Sequence, residues 1–231
     1  MAGIALQEDG RSRYCPGMFS STIHSPDLCI CAQDYCYLVP DEALAQVSDA
    51  LIDLGLPHAT PRSKTNIHGE FDTQGRHHRI TRDMSSALMQ NIVIYPQSFS
   101  TLDESELEEV TPNHITSPRC SAILTPTPSA VYASLIRMML RYTRFNGTMY
   151  ELQSDLSELI GYHLLKMENG YIDVDDDDEW EKWQVERRIS DAVHLVRSWG
   201  VDSVWREGED WIGDALAEIV RTGAIENLPC C

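Results

Sequence analysis

The chain has 231 residues, which allows one large domain or two small ones, and 42% of them are hydrophobic, enough to fill a buried core. Its formal net charge is -18, with 7 basic against 11 acidic residues in positions 1–100 and 11 against 25 in positions 101–231. Because such a surface repels phosphate backbones and anionic membrane faces, we expect neither a nucleic-acid nor a membrane partner.

Targeting signals and cysteines both indicate a cytoplasmic protein. No stretch approaches the roughly 20 apolar residues of a membrane span, and the first 13 residues hold no apolar run of signal-peptide length. Seven cysteines without a secretion signal predict no disulfide framework. The spacing of Cys29 and Cys31 is too tight for a zinc site, and the terminal pair Cys230-Cys231 is interpreted as a tail whose role stays open.

The first predicted elements are a strand and a helix over residues 28–57. Leu28 to Val39 is rich in residues that favour strands. Asp41 follows Pro40 and suits the start of a helix, both as a cap and through the helix dipole. One apolar stripe then predicts an amphipathic helix that ends at Gly55-Leu56-Pro57. The stripe consists of Leu44, Val47, Leu51 and Leu54.

Residues 58–83 form the one basic segment of this acidic chain. Short strands are predicted at 66–71 and 77–81. A strand at 91–95 follows, then a short acidic helix or loop at 102–110 and a strand at 120–124.

The remaining pattern is helical. Pro128 suits a first helical turn, and apolar residues recur at helical spacing until Gly147. Thr148 and Glu151 predict a capping box for a second helix that runs to Gly170. Third and fourth helices are predicted at 179–199 and 209–221. The fold class is therefore α+β, a small mixed sheet with flanking helices followed by a helical C-terminal part. We expect an N-terminal segment at 1–27, an α/β core at 28–127 and the helical part, packed on that core, at 128–231.

One block of sequence resembles a known family. The run from Asp34 to Glu42 (DYCYLVPDE), the helix after it and Gly55-Leu56-Pro57 are similar to the core of nucleotidyltransferase-like proteins of the polymerase-beta type. In that family, two carboxylates spaced two apart on a strand and a third on a neighbouring strand hold divalent metals, and a glycine-serine turn upstream cradles the phosphates.

The resemblance assigns roles to individual residues. Asp34 matches the first carboxylate, a catalytic and metal-binding position for which Mg²⁺ is the implied ion. Cys36 stands where the second carboxylate belongs, and a thiol is a poor Mg²⁺ ligand, so the resemblance implies a degenerate member. Gly17 with Ser20 and Ser21 is the candidate for the phosphate turn, although the family's glycine and serine are adjacent and these are not. The third carboxylate stays open among Glu70, Asp72 and Asp83.

The basic segment supplies the other site candidates. Arg76 and Arg79 flank two histidines and are the residues expected to hold a phosphate or carboxylate. On a strand, Arg79 and His77 would point one way, and Arg76 and His78 the other. His78 is the candidate for acid–base catalysis.

Three functions remain open from the sequence. The first is a degenerate nucleotidyltransferase-like domain that binds a nucleotide or another small anion. The second is a non-catalytic interaction protein, and the third is a cyclase or isomerase with an Asp/His acid–base pair. His163 with Asp155 or Glu158 is one such pair, and the acidic run 173–179 is interpreted as a solvated helix start rather than a metal loop.

Overall fold

The computed structural model describes residues 12–13, 35–59, 68–80, 90–111, 122–167, 179–201, 204–225 and 228, without the side chains of 12–13 and 179–182. The chain divides into two compact units. The first comprises Met1–Thr22 and Pro26–Thr127, and the second comprises Ile23–Ser25 and Pro128–Cys231. The first unit is a sheet-and-helix unit and the second is helical among its described residues, so the α+β class is confirmed.

The first unit contains a mixed three-stranded sheet. Its strands are β2 (Tyr35–Val39), β3 (Arg76–Arg79) and β4 (Asn91–Pro96), in the order β2-β4-β3. β4 runs parallel to β2 and antiparallel to β3. The central β4 is buried almost throughout, as its continuous apolar run predicts. A single bridge between His58 and His78 extends the pairing beyond β3.

A helix covers one face of this sheet. A short 3₁₀ turn at Asp41–Ala43 leads into α1 (Leu44–Asp53), whose Val47 and Leu51 form a core cluster with Ile94 of β4. The predicted capping role of Asp41 is wrong, because no side chain caps either helix start. The Asp41 carboxylate instead accepts a hydrogen bond from the backbone N–H of Ser98 at 3.0 Å and so joins the turn after β2 to the 3₁₀ turn after β4.

An aromatic cluster covers the other face. Phe71 makes edge-to-face contacts with Tyr95 and Phe99, and those two rings stack with 5.2 Å between their centroids. Phe71 lies in the short helix α2 (Glu70–Gln74), so the strand predicted at 66–71 is wrong where it is described. The positive φ of 60° at Gly69 is a conformation that favours glycine, and the ring contacts of Phe71 outweigh its local preference for a strand.

A second three-stranded sheet completes the first unit. β6 (Ile123–Pro126) lies between β1 (Ser12–Arg13), which is parallel to it, and β5 (Leu107–Val110), which is antiparallel. The predicted acidic helix or loop at 102–110 is confirmed only for the 3₁₀ turn Glu104–Glu106, since the residues after it form β5.

The second unit is built from four α-helices among its described residues. They are α3 (Pro128–Met139), α4 (Gly147–Leu159), α5 (Glu179–Val201) and α6 (Asp210–Thr222). Asn146, rather than the predicted Thr148, caps α4, because its side-chain oxygen accepts from the Thr148 N–H at 2.8 Å. A π-helical turn, Ile160–Leu164, continues α4. Within the described part of the chain, no helix is both long and apolar enough to cross a bilayer.

Candidate ligand groove in the first unit

A groove of about 340 Å³ opens where α1 ends against β3. It is lined by Ile52, Gly55, Pro57 and Arg79. The left-handed Gly55 (φ 81°) turns the chain sharply after α1, and the backbone N–H of Arg79 donates to the Pro57 carbonyl at 2.9 Å. Local turn chemistry therefore brings the helix end and the basic strand together at one groove.

Arg79 supplies the positive charge of this groove. Its Nε atom is buried and makes no hydrogen bond to any described residue, although a guanidinium group has five N–H donors. Buried donors in folded proteins are nearly always paired, so this guanidinium group keeps hydrogen-bonding capacity that the described residues do not use. The partial negative charge at the end of α1 also favours a cation at this position, which accounts for some of the placement without any ligand.

His78 is fully buried beneath the groove wall. Its Nδ1 lies 3.1 Å from the Leu56 carbonyl oxygen and its Nε2 lies 3.1 Å from the Ser48 hydroxyl. Because a carbonyl oxygen only accepts, Nδ1 carries the proton, and the neutral Nε2 then accepts from Ser48. Both ring nitrogens are thus used to join β3, α1 and the turn after α1.

The charge state of His78 follows from these surroundings. Burial lowers the pKa of His78 below its ordinary value, the hydrogen bond to Leu56 opposes that shift, and the charges of His58 and Arg76 add to it. The ring of His58 lies 4.6 Å from that of His78, tilted by 35°. His78 is therefore a neutral imidazole at pH 7.

The other predicted site residues fall into two groups. Asp34, Ser20 and Ser21 lie outside the described residues. Arg76 is exposed at the start of β3 and does not line the groove, so the structure brings only Arg79 of the two predicted arginines to it. Cys36, at the second carboxylate position of the family pattern, is a buried thiol opposite Val93.

Sequence reasoning missed Ser48 and the groove wall. Ser48 lies 30 residues from His78 and reads as one more polar residue within a helix. Gly55 and Pro57 were interpreted as a helix stop, which they are, but nothing local indicates that the stop packs beside Arg79. The burial pattern of β3 does not show the predicted alternation, because His77 and His78 are both buried between the exposed Arg76 and the half-buried Arg79.

Comparison with known proteins adds no relative. No family model, no curated protein and no solved structure matches the chain. Among the described residues, no three His, Cys, Asp or Glu side chains come close enough together to hold a metal ion.

Proposed function

We propose that the first unit binds a small anionic molecule, with a nucleotide as the leading class, through Arg79 in the groove at the end of α1. The observation that carries this proposal is the position of Arg79 in the groove wall, with a buried Nε that makes no hydrogen bond to a described residue. A phosphate or carboxylate in the groove would pair with this guanidinium group through charge-assisted hydrogen bonds, which are stronger than neutral ones.

The shape of the groove suits a ligand that has an apolar part beside its charge. Ile52 and Pro57 are exposed apolar walls next to the guanidinium, and the volume of about 340 Å³ falls in the range of small-molecule sites. A nucleotide carries both an anionic phosphate and a flat ring. The resemblance of residues 34–57 to nucleotidyltransferase-like proteins supports the same class, since the groove lies at the end of that block.

Metal-dependent nucleotidyl transfer is not part of this proposal. That reaction needs a second hard oxygen ligand two residues after Asp34, and the side chain there is the buried thiol of Cys36. The domain is thus proposed to bind without transferring, as a degenerate relative would. An acid–base role for His78 receives no support either, because both of its ring nitrogens already have partners inside the fold.

A thermal-shift titration of ATP, GTP, CTP and UTP, each with and without Mg²⁺, tests the proposal. A ligand at 100 times its dissociation constant adds about 2.7 kcal/mol of stability, which raises the melting temperature by about 5–10 °C for a chain of this size. The matched variants are R79Q, which should abolish the shift, and R197Q, which removes an exposed arginine of α5 and should preserve it.

Two results would overturn the proposal. If no nucleotide and no simple phosphate or carboxylate produces a shift, the groove is not an anion site. If R79Q and R197Q respond alike, Arg79 does not carry the binding. A shift that persists in R79Q but depends on Mg²⁺ would instead favour a metal-dependent nucleotide site at Asp34, as the family resemblance implies.

A further inference from the structure

The second unit contains a histidine, His163, that has only one of its two ring nitrogens hydrogen-bonded to a described residue, unlike His78. His163 lies in the π-helical turn after α4 and is exposed at the surface. Its Nδ1 lies 3.1 Å from the Tyr132 hydroxyl oxygen, and its Nε2 makes no hydrogen bond to any described residue. π-helical turns within α-helices occur frequently at functional sites.

The hydrogen-bond chain fixes which nitrogen of His163 carries the proton. The Tyr132 hydroxyl lies 3.0 Å from the Leu159 carbonyl oxygen, which can only accept, so its single hydrogen is donated there. The Tyr132 oxygen then accepts from Nδ1–H of His163. Burial raises the pKa of Tyr132 far above its ordinary value, so the phenol keeps this proton at any physiological pH. The lone pair of His163 therefore resides on Nε2, the nitrogen that makes no hydrogen bond to a described residue.

The packing of this pair keeps the ring in place. The rings of Tyr132 and His163 stack with 5.9 Å between their centroids. On the α5 side, the ring of Trp199 lies 5.7 Å from the ring of Tyr132. Tyr132 itself is 1% exposed, so its hydroxyl is a fixed point rather than a mobile surface group.

A positive charge accompanies the exposed nitrogen. Lys166, three residues further on, lies near enough that its charge adds to burial in lowering the pKa of His163. It adopts a positive φ of 52° and ends the helix, as a bond from the Met167 N–H to the Gly161 carbonyl shows. The turn thus combines an unprotonated imidazole nitrogen with a positive charge three residues further along the chain, which favours the approach of a dianion.

We propose that His163 is a phosphoryl-accepting residue, modified at Nε2 by a small-molecule phosphoryl donor. The Nε2 lone pair forms the new N–P bond while the bond between phosphorus and its leaving group breaks, and the leaving group departs with the bonding electron pair. Nδ1 keeps its hydrogen, which stays hydrogen-bonded to the Tyr132 oxygen. The ammonium of Lys166 offsets the charge of the transferred group. Tyr132 and Lys166 are positioning residues in this step, since neither forms a bond to phosphorus.

Phosphoramidate is the donor chosen for the test, because it transfers its phosphoryl group to unprotonated imidazole and releases ammonia. The full chain is incubated with it at pH 7.5, and each modified histidine is located and timed by mass spectrometry. His163 should react faster than His194, an exposed histidine on α5, and at Nε2 alone. H163Q should lose this modification, and H194Q should leave its rate unchanged.

The Y132F variant separates positioning from a merely structural role. The buried ring stays, but without its oxygen the proton of His163 can occupy either nitrogen, so the phosphoryl group should appear on both Nδ1 and Nε2. K166Q should slow the reaction and leave the attachment at Nε2. A rate at His163 no greater than that at His194 would overturn the proposal, as would an unchanged Nε2-only product in folded Y132F.

Discussion

Replacement of His78 by asparagine tests how the groove wall is held together. The asparagine amide occupies the position of the imidazole Nδ1 and can still donate to the Leu56 carbonyl, but it does not reach Ser48. Ser48 has no exposed surface, so its hydroxyl would lose its acceptor in a place that water does not reach. An unsatisfied buried group of this kind costs about 1–3 kcal/mol, and we expect H78N to lose that much stability at pH 8.

The pH dependence of stability gives a second, independent signature. The pKa of His78 in the folded chain lies below its unfolded value of 6.5, so the unfolded state binds the proton first as the pH falls. The contribution of His78 to stability is therefore complete above pH 6.5 and is lost as the pH falls from there through the folded pKa. The slope is at most about 1.4 kcal/mol per pH unit for one proton. H78N should remove this slope, whereas S48A should lower stability and keep it.

Amide hydrogen exchange of β4 in denaturant, from pH 5 to pH 8, is the measurement. All five tryptophans lie between positions 180 and 211, so their fluorescence reports the second unit, while β4 reports the first. If H78N keeps the acid-dependent loss of protection, or lowers the stability of β4 by less than a few tenths of a kcal/mol, the assignment of the neutral, doubly bonded His78 is wrong.

Three further predictions concern an ion pair, a strained backbone position and a close contact in the two units. E209A removes the carboxylate whose two oxygens accept from Arg137, which is 9% exposed, and should cost about 3–5 kcal/mol of stability. The apolar pair R137M/E209L should recover most of that loss. Urea unfolding followed by tryptophan fluorescence measures both variants. K166G should stabilise the second unit by about 1 kcal/mol because glycine adopts a positive φ without strain, and no gain would mean that the lysine side chain offsets that strain. G75A would place a Cβ 2.7 Å from both the Tyr95 ring and the Val93 side chain and should cost about 1–3 kcal/mol in β4 exchange. An unchanged variant would mean that both side chains move aside.

Periodic segments were predictable because their residues act locally. The apolar stripe of α1 and the buried run of β4 both follow from spacing that a single element imposes. The stretch at 66–71 fails for the opposite reason, since Phe71 belongs to a helix whose stability comes from rings 24 and 28 residues away. Local propensity cannot include contacts that only the assembled sheet provides.

The groove illustrates the same limit for function. Arg79 was predictable as a ligand candidate because it stands in a basic segment of an acidic chain. Its partner surface was not, because Ile52 and Pro57 come beside it through long-range hydrogen bonds between β3 and the segment after α1. Arg76, three residues away and equal in sequence terms, lies exposed outside the groove.

A comparison of the two histidines shows what separates a structural imidazole from a reactive one. In each, a backbone carbonyl fixes the tautomer, directly through Leu56 for His78 and through the Tyr132 hydroxyl for His163. His78 then uses its second nitrogen to bind Ser48 in the interior, so proton exchange with a ligand would break the fold at that point. His163 leaves its second nitrogen at the surface, where reaction disturbs no internal contact. The sequence alone favoured His78, because it lies between two arginines. Only the assembled structure shows which of these two histidines keeps a ring nitrogen without a hydrogen bond to a described residue, and that histidine is His163 in the second unit.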